Sequence, residues 1–309
     1  MRAYLTILAA TAMLTVAVTS FASWMLDPYY IAHPLVGKVF MQPNDRAAKT
    51  AFLAKDCRQF DSYILGNSRS QILKGSEFAD AGARYYNLGA PGEDIGQSLE
   101  QLEFLFGIGC PVSALLIAES IDVLAHPGPD WLTQMSHPLI SGDNLVLFYA
   151  KYFLGPQGAI AYFRSRFSPG SRRMFYHPDG HSDYLWQMQN DANDTIPLCR
   201  TSRLSAQQKI DLYEHLPQYR KLASLAAQHH VKVVVWLTPL HKARSIVLDD
   251  PDVSRYINEL QQIAGINVFE AERDSPLLAD FHQWHDCSHF RRQVFDQLVA
   301  PGVAKLLRE

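Results

Sequence analysis

Two strongly apolar runs, Ser113 to Ala118 and, with Lys232 as its one charged residue, Val231 to Leu237, constrain the fold of this chain more than any other feature. A strand with one face in water alternates apolar and polar residues, whereas a strand covered on both faces reads as a continuous Val, Ile and Leu run. Each run follows a helical pattern. Ile95 to Phe106 places Leu99, Leu102, Phe104 and Leu105 at helical spacing, and Ser205 to His229 reads as a long helix with a break at Pro217. The weaker segments are a short helix at Asp45 to Ala54, strands at Phe60 to Leu65, Arg84 to Leu88 and Asn267 to Phe269, and helices at Asp252 to Ala264 and Phe290 to Leu307. Strands alternating with helices predict an α/β fold with a doubly wound parallel sheet and helices on both faces. With 309 residues, 48% of them hydrophobic and 19% charged, the chain is long enough for one such unit plus an insertion.

The alternation stops between Leu124 and Cys199, which places the insertion at about 125–199. It holds helical apolar spacing from Asn144 to Phe163 and an aromatic, polar stretch from Phe175 to Trp186. An insertion after the third strand would rise over the carboxyl ends of the sheet as a lid, with Tyr176 and Trp186 as substrate contacts. His177, Asp179, His181 and Asp183 alternate, but their spacing matches no standard zinc set. The expectation is a polar, sugar-contacting loop and no metal.

From Ala3 to Leu26 there is no charged residue, and about 20 apolar residues suffice to cross a bilayer as a helix. Arg2 precedes the run and Asp27 follows it, which leaves the N-terminus in the cytoplasm and residues 27–309 outside. A cleaved signal peptide ending near Ser20-Phe21-Ala22 is the alternative. Trp24, Met25, Leu26, Tyr29 and Tyr30 continue past that point as an interfacial belt would, and favour an uncleaved anchor. A net charge of −3 without a basic stripe argues against a nucleic-acid partner. In an oxidising compartment the four cysteines suggest disulfides. Cys57 and Cys110 each precede a strand expected to be a parallel neighbour of the other, so they are the preferred pair, leaving Cys199 with Cys287; buried free thiols are the alternative.

Gly66-Asn67-Ser68-Arg69 follows the apolar Tyr63-Ile64-Leu65, and Asp286-Cys287-Ser288-His289 lies just before the last helix. A serine on a strand-to-helix turn is held out at the carboxyl end of a sheet, where ligands of open α/β folds collect. His289 could take its proton and Asp286 could orient the imidazole. Taken singly, Ser68 reads equally well as a helix N-cap and the D-x-x-H tetrapeptide as a surface pair. Their joint placement favours a Ser68, Asp286, His289 catalytic set. His241, at the end of the strongest strand, points toward the same crevice as a substrate contact or rival base, or is a loop residue.

On these residues the chain resembles the SGNH (GDSL-like) hydrolase and acyltransferase superfamily, which has a flavodoxin-like sheet. It is most similar to its membrane-anchored envelope group, that of the D-alanyl-transfer and alginate O-acetylation proteins. The resemblance runs from about Asp27 to the end and includes Asp27-Pro28-Tyr29, Asn44-Asp45-Arg46 and Tyr86-Asn87-Leu88-Gly89-Ala90-Pro91-Gly92. It implies an oxyanion hole built from the N–H groups of Ser68 and Gly89. The family's third block, G-x-N-D, is replaced by Ala118-Glu119-Ser120-Ile121-Asp122. With no asparagine there, Asn67 and Arg69 are the candidate substitutes, Arg69 also as a substrate contact. The resemblance implies a cofactor-independent serine esterase or O-acyltransferase of the inner membrane, facing the periplasm. It would act on an acylated polysaccharide or envelope glycan, with a multi-pass membrane acyltransferase as partner. A non-catalytic scaffold or polysaccharide-binding subunit is the alternative.

Overall fold

The computed structural model describes residues 1–33, 35–39, 43–121, 131–167, 174–184, 204–286 and 289–309. In chain order its strands are β1 (Gly37–Val39), β2 (Ser62–Gly66), β3 (Tyr85–Asn87), β4 (Ala114–Glu119), β5 (Met174–Tyr176), β6 (Ser182–Tyr184), β7 (Lys232–Leu237) and β8 (Ile266–Glu270). Five of them form a parallel sheet in the order β3-β2-β4-β7-β8. Counted within this sheet alone, the order is second, first, third, fourth, fifth. The winding therefore reverses between β2 and β4, and the crevice beyond their carboxyl ends is where such a sheet collects ligands.

The apolar runs are explained by burial on both faces. Tyr63 and Leu65 of β2 enter one core and Ile64 the other; on β4 Leu115 and Ile117 oppose Leu116 and Ala118; on β7 Val233 and Val235 oppose Val234 and Trp236. Helices Ile95–Gly107, Ala206–Gln228 and Pro251–Gln261 close the first core through Leu102, Leu216 and Tyr256. The C-terminal segment closes the second through Phe295, Val299 and Val303. Each fully buried aliphatic side chain here contributes about 1.5–3 kcal/mol.

Four expectations need correction. Helix Ala206–Gln228 runs through Pro217 without breaking. Proline removes one helical hydrogen bond, but Leu212 and Leu216 on one side and Tyr219 and Leu222 on the other are all buried, and that burial keeps both halves in register. The closing helix is instead divided into Arg292–Val294, a π-type turn at Phe295–Val299 and Ala300–Arg308, with Pro301 just beyond the widened turn. The apolar stretch 144–163 forms two helices, Leu145–Phe153 and Gln157–Phe167, separated at Gly155-Pro156. A second, antiparallel sheet, β1-β5-β6, was not expected; strands of three residues are too short for a period of two to show.

Cys57 and Cys110 form the expected disulfide, with Cα atoms 5.6 Å apart. The parallel register sets Ser62 opposite Ala114, so the entries to β2 and β4 are adjacent. Closing a loop of 53 residues stabilises the fold by about 4 kcal/mol in the chain-entropy picture. Cys199 and Cys287 lie outside the described residues.

Helix Arg2–Leu26 is long and apolar enough to cross a membrane, with a mean hydropathy of 1.9 in its most apolar window. Three of its threonine hydroxyls bond within the helix: Thr6 donates to the carbonyl of Arg2, Thr15 to that of Thr11 and Thr19 to that of Thr15. Its last turns seat on the insertion. Ser23 Oγ donates to the carbonyl of Gly155 (2.8 Å) and the N–H of Gly155 donates to Ser20 Oγ (3.1 Å).

Candidate active site

Gly66 ends β2 with φ of 110°, and a Cβ there would lie 2.6 Å from the carbonyl oxygen of Ala118. Only glycine allows both the backbone angle and this approach of β2 to β4. The turn that follows is closed by the N–H of Arg69 on Asn67 Oδ1 (3.0 Å) and by the N–H of Ser70 on the carbonyl of Asn67 (3.0 Å). Half-buried Ser68 sits on this turn, at the reversal of winding. The helix expected after it is absent; a turn leads to a 3-10 segment at Gly75–Ala81. Asn87 gives the reason. Its Nδ2 donates to the carbonyls of Ser70 (2.7 Å) and Leu73 (2.9 Å), which a helix would have used itself.

The partner loop is pinned by its flanks. Trp284 and Phe290 pair across it as an antiparallel bridge, both buried and both in the second core with Trp236. The N–H of His285 donates to the carbonyl of His289 (2.9 Å), and Arg292 Nη1 donates to the carbonyl of Ile72 (3.3 Å), joining this loop to the chain beyond the nucleophile turn. Asp286 faces His289 through both oxygens. Its Oδ2 lies 2.8 Å from His289 Nδ1, and its Oδ1 accepts the N–H of His289 at 2.7 Å. The opposite ring nitrogen, Nε2, is 2.9 Å from Ser68 Oγ. The structure thus brings together three side chains from opposite ends of the sequence in the geometry by which a base activates a serine.

Oxyanion donors are arranged differently from the expectation. No group among the described residues accepts the N–H of Ser68, so it is available to a developing oxyanion. The N–H of Gly89 is engaged by Asn87 Oδ1 (2.9 Å), and the amide of Asn67 gives one of its two hydrogens to Ser120 Oγ (2.8 Å). Arg69 is buried, with Nη1 donating to Thr238 Oγ1 (2.6 Å) and Ser120 Oγ (3.2 Å). Glu119 of the third block turns away to the helices, accepting from Tyr219 (2.8 Å) and Tyr256 (3.0 Å) and facing His215 Nδ1 (3.1 Å). Burial opposes its ionisation, but His215 and the two phenols outweigh it and hold the carboxyl below its ordinary value. Asp122 lies outside the described residues.

Two expected substrate contacts are corrected by burial. Tyr176 is fully buried and donates its hydroxyl to Asp45. His241 is 2% exposed; its Nδ1 accepts the N–H of Ala243 (3.0 Å) and its ring packs against Phe281 and Trp284. Burial pushes His241 below the ordinary imidazole value. Neither side chain reaches the crevice. Trp186 lies outside the described residues.

Sequence reasoning gave no role to the groups that brace the site. Lys49 Nζ donates to the carbonyl of Gly89 (2.7 Å), and Arg46 Nη2 to that of Gly92 (3.1 Å). Burial lowers Lys49 to about 8. Glu93 accepts the N–H of Gly66 (3.3 Å), the hydroxyl of Ser98 (2.9 Å) and the amide of Gln101 (3.0 Å), and burial pushes it up to about 7. A signal was present in Asn44-Asp45-Arg46 and in Tyr86 to Gly92, but Lys49 and Glu93 lie outside both stretches, and the contact between the two was not legible.

No family model matches the chain, and no curated protein does. Among solved structures it is similar to an acetyl xylan esterase (Est2A) from the rumen bacterium Butyrivibrio proteoclasticus, at 10% identity and a TM-score of 0.36. The match covers 80% of this chain and 63% of that one, so the chain spans less than two thirds of that enzyme's length.

Proposed function

We propose that this chain is a serine-dependent esterase or O-acyltransferase acting on acyl groups of a cell-envelope or exported polysaccharide. The observation that carries the reading is the Ser68, His289, Asp286 relay, at 2.9 and 2.8 Å, where the winding of the sheet reverses. Ser68 Oγ attacks the acyl carbonyl carbon while His289 Nε2 takes its proton. The leaving oxygen then recovers that proton from His289, and acyl-Ser68 remains. An acceptor hydroxyl repeats the steps in reverse. Asp286 fixes the tautomer and stabilises the imidazolium.

The oxyanion hole supports transfer over hydrolysis. With the Gly89 N–H engaged and the Asn67 amide giving one of its two hydrogens to Ser120, the N–H of Ser68 is the nearest donor at hand, and each missing donor is worth about 3 kcal/mol. Water is then a poor acceptor, whereas a bound glycan hydroxyl regains rate through orientation. The same shortage of donors favours the second reading, a scaffold or glycan-binding subunit that keeps the fold.

The N-terminal helix supports anchoring in the inner membrane with residues 27–309 in the periplasm. Ser20 and Ser23 both bond to Gly155, so cleavage after Ala22 would divide the seat of the helix on the insertion. Exposed Val146, Leu147, Phe163 and Phe167 lie on the two helices flanking that seat, an apolar surface suited to lipid or to a multi-pass membrane acyltransferase that supplies the acyl group.

The test is a serine-reactive fluorophosphonate followed by product partitioning. Labelling at Ser68, slow hydrolysis of a small acetyl ester and faster acetyl transfer to an added oligosaccharide are expected. Failure of Ser68 to label would support the scaffold; rapid hydrolysis that ignores every glycan offered would leave a plain esterase.

A further inference from the structure

The hairpin β5–β6 lies against the nucleophile turn and carries a second group of imidazoles. The N–H of Ser182 donates to the carbonyl of Gln71 (2.8 Å) and the N–H of Asn87 to the carbonyl of Asp179 (2.7 Å). Asp179 Oδ2 accepts the N–H of Gly75 (3.1 Å). Gly180, with φ of 81°, lets the turn lie flat, since a Cβ there would come within 2.3 Å of the carbonyl oxygen of Asn87. This turn brings His177 and His181 face to face, their ring centroids 3.8 Å apart and their planes 7° from parallel. Asp183, two residues beyond His181 and so on the same side of the strand, brings Oδ2 to 2.9 Å from His177 Nε2.

The ligand atoms of His177, His181 and Asp183 lie within 4.8 Å of one another. Two independent observations point to a ligand between them. His181 is 5% exposed, and its Nε2 is buried with no hydrogen-bond partner, a position that a native fold leaves empty only at a cost. Its other nitrogen, Nδ1, is held by the Asp179 carboxylate, as the outer nitrogen of a metal-bound imidazole characteristically is. Holding Nδ1–H on Asp179 leaves the lone pair on Nε2. The His177 and Asp183 side chains are 30% and 38% exposed, which leaves a way in from solvent.

We propose that His177, His181 and Asp183 bind a divalent transition-metal cation of the zinc class, with Asp179 orienting His181. Two imidazoles and one carboxylate match the donor preference of zinc and its neighbours, whereas calcium and magnesium take oxygen ligands. On binding, the proton between His177 Nε2 and Asp183 leaves for His177 Nδ1 or for solvent. The cation would staple the hairpin closed, and through Asp179 and Asn87 it would firm the turn beside Ser68. This site stands apart from the acyl chemistry and does not depend on it.

The test uses the full chain in detergent, stripped with EDTA, with Zn²⁺ titrated calorimetrically, Co²⁺ followed by its visible absorption, and thermal melting with and without Zn²⁺. Expected are a single saturable Zn²⁺ site, visible cobalt bands of a low-coordinate complex, and a rise in Tm that Ca²⁺ and Mg²⁺ do not reproduce. His181→Gln and Asp183→Asn should abolish all three, and Asp179→Asn should weaken binding by about 10–100-fold. If His181→Gln fails to fold, the half-exposed Asp183→Asn decides alone. Absence of saturable Zn²⁺ uptake by the unsubstituted chain, or uptake that Asp183→Asn leaves unchanged, overturns the proposal.

Discussion

His289 and His181 are each held at Nδ1 by an aspartate, Asp286 and Asp179 respectively, yet the two imidazoles are set up for different chemistry. At His289 the other nitrogen, Nε2, meets a hydroxyl, Ser68 Oγ at 2.9 Å, on the turn where the parallel sheet reverses its winding. At His181 the corresponding nitrogen has no hydrogen-bond partner, and the ring stacks on a second imidazole with a carboxylate nearby in a hairpin. A carboxylate-oriented histidine is therefore not a signature of catalysis. What lies beyond its other nitrogen decides its use.

The largest effect expected from breaking this comparison is at the first site. Ser68→Ala should lower turnover of an acetyl ester by about 10⁶-fold, on the scale seen when a triad nucleophile is removed, and Asp286→Asn by about 10⁴-fold. Thermal melting should be nearly unchanged, because Ser68 is half-buried on a turn and supports no core. Activity within tenfold of the unsubstituted chain would remove the relay from the mechanism.

A smaller effect tests the scaffold shared by both centres. Cys57→Ser removes the disulfide between the entries to β2 and β4 and should lower unfolding stability by about 4 kcal/mol while leaving turnover of the folded fraction intact. Denaturant titration measures the first and initial rates the second. Smaller again, Gly66→Ala should cost about 1–3 kcal/mol of backbone strain. It should also reduce kcat, since a Cβ would push against Ala118 directly under the nucleophile.

The last expected effect is a pH dependence. Glu93 ionises at about 7 in the fold, against 4.5 in an open chain. Between those values the native state holds a proton that the unfolded state has lost, so stability falls as pH rises from about 4.5 to 7. Glu93→Gln keeps an acceptor for the N–H of Gly66 and should flatten that slope. An unchanged slope in pH-resolved chemical denaturation would place the proton elsewhere.

Much of this was legible because it is local or periodic. Residues 114–118 and 233–237 are apolar throughout since both faces of their strands are covered, and the Cys57 and Cys110 pairing followed from two strands being parallel neighbours. Ser68, Asp286 and His289 could be singled out by residue type and placement, although their distances could not. The long insertion was harder. Its strands are three residues long, β1 pairs with β5 across most of an intervening domain, and Tyr176 and His241, which looked like crevice residues, are buried by neighbours remote in sequence.

By itself the sequence determined the parallel sheet and the apolar N-terminal helix and singled out Ser68 and His289 as a candidate serine and base, because hydrophobic period and residue chemistry are properties of short stretches. Only the tertiary structure decided that Asn87 engages Gly89 and unwinds the segment after Ser68, that Lys49 and Glu93 hold the turn from below, and that His177 and His181 stack. Each of these depends on a hydrogen bond or ring contact between groups brought together by packing, and the direction of a side chain in a fold is set by that packing and not by the residue itself.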